Sequence, residues 1–428
     1  MRSRATEATG RIGPRPRRRR DSSVALALAC AALLALAAPP ALGSDPSTPL
    51  TRAFPSLRVK SVSLVRSPTP LEPLSNLERR LRGGVAAPTD APPWLWIKRD
   101  DVADGLVGGN KARKLEFLLG EARARGATAI VTSGRLGTHL GVAAAEAARR
   151  LGLRATIVLA PQPVTAEVRR NLLALRATGA ELRFHSTMAG AIVDVGWLRL
   201  RALLGPESVY YIPPSGTSPV GSIGYANAFL ELVEQAAEAP EFDEIVVPAS
   251  TGGTAAGLLA GICLSGRWER TRLRAVAVTD PWLQSEWLLR WEARDAFRAI
   301  RDALAPSDRA RLPECDFMTS SKALTYVRGY LGAGYGRSDA ATDDTVKLLR
   351  EIQGVELDTT YAGKAMRHFL DRAAERLRDG RTRRGLLFWN TYAPVDLEAA
   401  IARHAWSDPA APWLDLPKEL RPLFAPAG

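Results

Sequence analysis

The stretch WIKRDDVADGLVGGNKARKLEFLL, residues 96–119, is the part of the sequence that decides the fold. Its first residues predict the end of a strand, the adjacent glycines Gly108 and Gly109 predict a tight turn, and an amphipathic helix is expected from about Ala112. Lys111 then lies at a helix start, where unpaired N–H groups create a positive potential. Such a potential lowers the pKa of an amine, which suits a lysine that must attack a carbonyl group. The simpler interpretation is a solvated surface lysine beside a turn.

A second stretch, VVPASTGGTAAGL at residues 246–258, has the composition of a phosphate-binding loop. An apolar strand leads into glycines and hydroxyl groups, and a helix begins after them. Glycines let the backbone approach an anion, and the helix start supplies N–H donors. Because the stretch has neither the lysine of a P-loop nor a full GxGxxG pattern, nucleotide binding is disfavoured. The loop is expected to consist of Ser250, Thr251, Gly252, Gly253 and Thr254.

The composition indicates a globular protein of more than one domain that does not bind nucleic acid. The chain has 428 residues, 46% of them hydrophobic, which is enough for more than one core. Residues 1–21 hold eight arginines and two acidic residues, so they account for +6 of the net charge of +13. The remaining excess is spread along the chain, without the mixed basic and aromatic clusters of nucleic-acid-binding modules.

Residues 1–43 have the organisation of an export signal. An arginine run at 17–20 precedes an apolar segment at 24–38 that is too short to span a bilayer, and small residues near 43 indicate a cleavage site. We expect a periplasmic protein whose mature chain has no integral membrane domain; the alternative is a misassigned start codon and a cytoplasmic protein. The mature chain would keep Cys263 and Cys315, and two cysteines neither form a disulfide framework nor indicate a compartment.

Short apolar strands alternate with helices from residue 118 onward. This alternation predicts parallel sheets covered on both faces, in an α/β fold with two doubly wound domains. The larger domain is expected to comprise residues 54–114 and 227–428, with the smaller one inserted at 115–226 and a linker at 44–53. Trp282, Trp287 and Trp291 are expected to be core aromatics or part of an oligomer face.

Together, the two stretches resemble the D-cysteine desulfhydrase and 1-aminocyclopropane-1-carboxylate (ACC) deaminase family. These are pyridoxal-phosphate (PLP) enzymes of the tryptophan-synthase-β fold type, fold type II. The family pattern is approximately WIKRDDL, a spacer and GGNKxRKLEFLL, followed later by SGGTxAGL. The resemblance covers about residues 56–400 and implies PLP in the cleft between the domains. Lys111 would hold PLP as a Schiff base next to Asn110, residues 250–254 would bind the phosphate, and Lys364 would be the alternative anchor.

The motifs on the substrate side resemble the family with departures. In TSGRLGTH, residues 132–139, Thr138 and His139 stand where the family has Ser and Asn beside the substrate carboxylate and the cofactor. His139 is either a donor to the cofactor or substrate, or a drifted residue in a specialised enzyme. Gly334-Tyr335-Gly336 resembles the family's GYG, and LDTTYAGK, residues 357–364, resembles LDPVYTGK. The resemblance implies that Tyr335 and Tyr361 line the site.

The last motif, GLLFWNT at residues 385–391, resembles a family strand that ends in HTGG. The resemblance implies that Thr391 lies against the ring nitrogen of PLP. Asn390 replaces the histidine, and Tyr392 and Ala393 replace the two glycines, which predicts a bulkier pocket wall. A hydroxyl at the ring nitrogen, rather than a carboxylate, favours α,β-elimination over transamination.

The resemblance implies a PLP-dependent lyase or deaminase that acts on a small amino acid, in the manner of a D-cysteine desulfhydrase. Lys111 would also be the base at Cα, with Tyr335, Tyr361 and Thr138 as further catalytic residues. ACC ring opening is one alternative; the family associates it with Glu after the pocket tyrosine and Leu at the ring-nitrogen position, where this chain has Ala362 and Thr391. A further alternative is an exported PLP- or amino-acid-binding protein with little turnover. We expect a homo-oligomer without a metal site.

Overall fold

The structure, a computed structural model, describes residues 47–84, 92–205, 207–236, 240–281 and 283–424. The strands are β1 (Leu71–Pro73), β2 (Leu95–Arg99), β3 (Ala103–Asp104), β4 (Val107–Gly108), β5 (Ala129–Arg135), β6 (Arg154–Ala160), β7 (Glu181–Phe184), β8 (Val209–Ile212), β9 (Phe242–Ala249), β10 (Arg272–Ala277), β11 (Leu324–Val327) and β12 (Gly385–Asn390). The predicted export signal and Trp282 lie outside the described residues.

The α-helices are α1 (Pro49–Ala53), α2 (Ser75–Leu81), α3 (Gly109–Ala124), α4 (His139–Arg150), α5 (Ala166–Ala177), α6 (Met188–Leu204), α7 (Pro219–Gln235), α8 (Gly253–Leu264), α9 (Glu286–Asp302), α10 (Pro306–Arg309), α11 (Ala340–Gln353), α12 (Ala362–Arg378) and α13 (Leu397–Ala402). Short 3-10 turns follow at Pro214–Gly216, Pro412–Asp415 and Arg421–Phe424. No helix in these ranges is long and apolar enough to cross a membrane.

Two sheets confirm the α/β fold with parallel strands. The larger sheet has the order β1-β2-β12-β9-β10-β11, and only β1 runs antiparallel to its neighbour. The smaller sheet has the order β7-β6-β5-β8 and is parallel throughout. β12 lies in the interior of the larger sheet and is buried along its whole length, as expected of a parallel strand covered on both faces.

The strands of the smaller sheet fall between residues 129 and 212, and the larger sheet takes strands from both sides of that range. α3 and α7 run continuously across the positions where we placed the domain boundaries, 114/115 and 226/227. The two helices pack closely, because a Cβ atom at Gly224 would overlap the carbonyl oxygen of Arg113. The boundaries themselves stay a prediction.

A buried network of charged side chains fixes α3 to α7 and β2. The Arg113 guanidinium donates to both carboxylate oxygens of Glu231, at 2.7 and 2.8 Å, and to Asp100 at 3.0 Å. Lys98 donates to Glu231 at 2.7 Å, and the Trp389 indole of β12 donates to Asp100 at 2.7 Å. All five side chains are buried, so the start of α3, which carries Lys111, is held to the central strands by paired charges.

Two features differ from the sequence-based expectations. The side chains of Trp287 and Trp291 are 63% and 41% exposed, so the expectation of core aromatics is wrong for both, and the oligomer face stays a prediction. Cys263 and Cys315 form a disulfide, with Cα atoms 6.1 Å apart, which the sequence analysis did not predict. The pairing arises because α8 lies next to the loop after α10, a contact between segments 52 residues apart in the chain.

Candidate active site

Lys111 lies where α3 meets the end of β12 and the loop after β9. The helix begins at Gly109, three residues earlier than the sequence indicated, with a φ of 59° that favours glycine. A Cβ atom at Gly109 would lie 2.6 Å from the Thr391 carbonyl oxygen, so glycine is needed for this approach. The Asn110 backbone N–H donates to the same oxygen at 3.1 Å, and its side-chain amide donates to the Thr254 hydroxyl at 3.2 Å. Asn110 therefore connects the three segments around Lys111.

The amine of Lys111 is shifted toward its neutral form. Burial lowers its pKa to about 8, and the nearby Asp358 carboxylate opposes that shift. The direction agrees with the expectation from the helix start, but the main cause is burial rather than the helix. An amine with this pKa is partly uncharged near neutral pH and can attack a carbonyl carbon.

Asp358 was missed by the sequence analysis, although it stands three residues before Tyr361 in a quoted motif. Its carboxylate accepts backbone N–H groups of Thr360 at 2.8 Å, Tyr361 at 2.5 Å and Ala362 at 3.1 Å. These bonds fix Asp358 at the start of α12, while burial raises its pKa. Asp358 can be recognised as a residue of the site only from the fold, which places its carboxylate near Lys111.

The loop after β9 has the features of an anion cradle. Gly252 has a φ of 86°, and α8 begins at Gly253, so the first N–H groups of the helix are available to an anion. Thr251 hydrogen-bonds to the Thr217 hydroxyl at 2.8 Å. A Cβ atom at Gly253 would lie 2.9 Å from the Thr217 hydroxyl and 3.1 Å from the Lys114 ammonium. The backbone, two hydroxyls and a cation therefore converge on this loop.

Lys114 is a second residue that the sequence analysis missed. Its side chain is 1% exposed, and its ammonium donates to the Ser215 carbonyl at 3.2 Å. Within the described residues this is its one hydrogen bond, although an ammonium has three donors. Burial lowers its pKa, and the positive charge of Lys111 adds to that shift. A phosphate dianion beside Lys114 would satisfy these donors and restore the charge, so the residues present fit a phosphorylated cofactor.

The turn that holds Lys114 is also specialised. Ser215 has a φ of 59°, in the left-handed region that non-glycine residues rarely adopt. This conformation directs the Ser215 carbonyl to Lys114 and lets Thr217 follow toward Thr251. Strained backbone of this kind clusters at binding sites. The Ser-Gly-Thr sequence at 215–217 was the available signal, and only the tertiary contact gives it meaning.

Thr138 and His139, the predicted substrate-side residues at the start of α4, each contact another residue of the protein. Thr138 is the N-cap of α4, and its hydroxyl accepts the Gly141 N–H at 3.1 Å. The Nε2 atom of His139 lies 3.1 Å from Glu167 on α5, and both side chains are about half exposed. Asp358 lies within electrostatic range of His139, and Tyr361 lies within range of Glu167, so the start of α4 is near the start of α12.

The two predicted pocket tyrosines lie together. The hydroxyls of Tyr335 and Tyr361 hydrogen-bond to each other, and their rings meet edge to face at 5.9 Å. Burial, followed by the influence of Tyr335, raises the pKa of Tyr361, so the Tyr361 hydroxyl keeps its proton at neutral pH. Lys364 donates to the carbonyls of Leu331 and Gly334, at 2.7 and 2.9 Å. Lys364 therefore supports the loop that carries Tyr335, which disfavours it as a cofactor anchor.

The remaining predicted residues lie at strand ends. Ser250 is half-buried after β9, and Thr391 is buried after β12. The Asn390 side chain donates to the Glu356 carbonyl at 3.3 Å and accepts the Tyr392 N–H at 3.3 Å. It therefore connects the backbone after β12 to the backbone at Glu356. The described residues contain no group of three metal-ligating side chains. The arrangement can hold a small molecule with a phosphate at one end and a carbonyl group near Lys111.

Comparisons with known proteins agree with this chemistry. Residues 62–383 match the family described as pyridoxal-phosphate dependent enzyme. The chain is 36% identical over 337 residues to the nocardicin C-9' epimerase of Nocardia uniformis subsp. tsuyamanensis, which covers 77% of this chain and 91% of that protein. It is 30% identical over 318 residues to the D-cysteine desulfhydrase of Salmonella typhi, covering 73% and 88% of the two chains.

Solved structures give the same fold. An ACC deaminase homologue superposes with a TM-score of 0.63 at 26% identity, over 80% of this chain and 94% of that one. The processed form of threonine deaminase isoform 2 from Solanum lycopersicum has a TM-score of 0.51 at 16% identity, over 85% and 92% of the two chains, and supports the fold alone. These neighbours are fold type II enzymes, which confirms the predicted fold type.

Proposed function

The chain belongs to the family of pyridoxal-phosphate-dependent enzymes, and from that premise we propose that it is a D-cysteine desulfhydrase-like lyase that removes the β-substituent of a small amino acid. The observation that carries the proposal is the position of Lys111. Its buried, partly neutral amine is within electrostatic range of Lys114 at the anion cradle and of Asp358, whose carboxylate accepts the Tyr361 backbone N–H. Bound there, PLP supplies an electron sink for the bond that breaks at Cα of the amino acid.

Each residue of the site has a distinct part in this proposal. Lys111 anchors the cofactor and, once its amine is free, removes the proton from Cα. Lys114, Thr251 and Thr254 hold the phosphate, so that the reacting carbon stays in place near Lys111. The Tyr335–Tyr361 pair holds a proton that can pass to the departing sulfur of cysteine.

The same site disfavours ACC ring opening. Ala362 follows Tyr361 and is buried at the start of α12, so this position has no carboxylate. Thr391, rather than an apolar side chain, follows β12. A hydroxyl can donate to or accept from a ring nitrogen, whereas the family associates leucine at this position with ring opening.

A second candidate function, epimerisation at Cα, is favoured by the 36% identity to an epimerase. Epimerisation and elimination share the removal of the Cα proton. They differ in the next step, because an epimerase returns a proton to the opposite face whereas a lyase releases the β-substituent. In this site Lys111 and the Tyr335–Tyr361 pair would be the two proton-carrying groups.

One experiment tests these functions together. The purified protein is incubated in deuterium oxide with D-cysteine, L-cysteine, ACC and amino acids without a leaving group. We expect pyruvate and sulfide from D-cysteine. Deuterium at Cα with inverted configuration and no pyruvate would instead identify an epimerase, and turnover of ACC would identify ring opening. Cofactor absorbance changes without any product would identify the binding protein with little turnover and would contradict the lyase proposal.

The proposal extends to location and assembly, with an exported protein that forms a homo-oligomer. Disulfides persist in oxidising compartments, so the Cys263–Cys315 bond supports export together with the composition of residues 1–43. Apolar side chains of α6 support self-association because they form a wide exposed face, which is unusual on a monomer: Met188, Ile192, Val193, Trp197, Leu200, Leu203 and Leu204. Their spacing of three and four residues along α6 suits packing against the same helix of a second copy.

Native mass spectrometry of the protein isolated from its host tests both parts. We expect a mass that is a multiple of a chain without residues 1–43 and that includes the disulfide. Leu200→Glu and Leu204→Glu together should reduce the number of subunits. The control is Arg79→Glu with Arg80→Glu at exposed positions of α2, which should leave the number of subunits unchanged. A chain that begins near Met1 contradicts export, and a monomer contradicts the assembly.

A further inference from the structure

A carboxylate also lies against the anion cradle. Glu292 of α9 lies so close to the loop that a Cβ atom at Gly252 would overlap its Oε2 atom and the amide nitrogen of Gln284. The Gln284 side chain is 2% exposed and donates to Glu292 Oε2 at 3.3 Å. An acidic side chain held against a phosphate-binding loop needs a physical explanation, because two neighbouring anions repel.

Among the described residues, Lys114 of α3 is the charged group that acts on Glu292, and Lys111 in turn acts on Lys114. Gln284, in the segment before α9, is neutral, and the loop at 250–254 contributes hydroxyls and backbone only. Burial raises the pKa of Glu292 to about 7, while the Gln284 hydrogen bond and the Lys114 charge oppose the shift. Glu292 therefore changes its charge near neutral pH.

The binding of a phosphate changes the balance at Glu292. A phosphate dianion in the cradle places negative charge beside the Glu292 carboxyl group, whose pKa burial already raises to about 7. The ionised form of Glu292 would repel the phosphate, whereas the protonated form has an O–H donor to offer it. Phosphate binding therefore favours proton uptake by Glu292.

We propose that Glu292 takes up a proton when the cofactor phosphate binds and donates it in a hydrogen bond to a phosphate oxygen, so that the protein retains its cofactor less well as pH rises. Glu292 is a positioning residue in this scheme, since it acts on the phosphate and not on the reacting carbon. The inference rests on the cradle as a phosphate site and is independent of which amino acid reacts.

The test uses 4′-deoxypyridoxine 5′-phosphate, which resembles PLP but has no aldehyde. Its binding to the full-length, cofactor-free chain does not involve a covalent bond to Lys111. The measured quantity is the dissociation constant of the wild-type chain divided by that of Glu292→Gln at the same pH. We expect this ratio to rise by about tenfold per pH unit above pH 7, because binding to the wild type takes up one proton. The loss of PLP from the holoenzyme on dialysis should show the same trend.

A matched control comes from the same helix. Glu286 lies in the first turn of α9 and pairs with Arg290 at 2.7 Å, away from the cradle. Glu286→Gln should keep the pH profile of the wild type. Parallel pH profiles for the wild type and Glu292→Gln would overturn the proposal.

A calorimetric measurement keeps the inference testable if Glu292→Gln does not fold. Titrations at pH 8 in two buffers of different ionisation enthalpy count the protons taken up on binding. Lys111→Ala and Lys114→Gln together remove the two titrating lysines near the cradle, so the uptake that remains in this double variant belongs to Glu292. We expect most of one proton; no uptake in the double variant would refute the role of Glu292.

Discussion

Lys111→Ala is expected to abolish the covalent attachment of PLP and to reduce lyase activity by more than the factor of about 10²–10⁴ that the loss of a general base alone causes. The same side chain provides the anchor and the Cα base in the proposed mechanism, so both are lost in one change. Cofactor absorbance and the rate of pyruvate release from D-cysteine measure the two effects. Some PLP should still bind, because Lys114 and the loop at 250–254 remain.

Thr391→Ala is the comparison for this variant. It removes the hydroxyl that is expected to hydrogen-bond to the ring nitrogen of PLP. Such a hydrogen bond contributes about 1 kcal/mol, so activity should fall by no more than about tenfold. Borohydride reduction followed by peptide mapping locates the anchor. A reduced adduct in the Lys111→Ala protein would move the anchor to another lysine, and Lys364 beside Tyr361 would be examined first.

Glu231→Ala is expected to lower the free energy of unfolding by about 3–5 kcal/mol, the cost of breaking a buried ion pair from one side. The change leaves the guanidinium of Arg113 without its two shortest hydrogen bonds and the buried ammonium of Lys98 without its counter-ion. Denaturant unfolding followed by circular dichroism measures the loss. Because the network holds the start of α3, cofactor binding at Lys111 should weaken as well.

Glu234→Ala on the same helix is the matched control. Glu234 pairs with Arg52 at 2.6 Å at the surface, where both side chains are nearly half exposed. Surface pairs contribute less than about 1 kcal/mol, so this variant should unfold close to the wild type. An equal loss of stability in the two variants would contradict the role assigned to the buried network.

The pH dependence of the wild-type protein gives a second check on Glu231. Burial alone would raise the pKa of Glu231, but Arg113 and then Lys98 lower it to about 2, below the ordinary value of 4.5. A group whose pKa is depressed by folding stabilises the native state above its unfolded pKa. This contribution should therefore be complete above about pH 4.5 and lost as the pH falls toward 2. Glu231→Ala should remove this part of the acid sensitivity.

The sequence by itself determined the fold class, and its resemblance to a known family implied the cofactor. Alternating strands and helices predict parallel sheets because hydrophobic periodicity is a local property of the chain. Lys111 and the loop at 250–254 each stand at a turn and a helix start that neighbouring residues specify, and the family resemblance gave these two motifs their expected roles. The α6 helix was missed because its apolar side chains, such as Val193 and Leu204, cover too much of its surface to show an amphipathic pattern.

The tertiary structure decided which residues surround these two motifs. Asp358, Lys114, Thr217 and Glu292 come from four segments far apart in the sequence, and each has an ordinary local context. Their significance depends on burial and on distances between charges, which moved the pKa of Lys111 to about 8 and that of Glu292 to about 7. Electrostatic interaction depends on separation in space and on the loss of water, and neither is encoded in the spacing of residues along the chain.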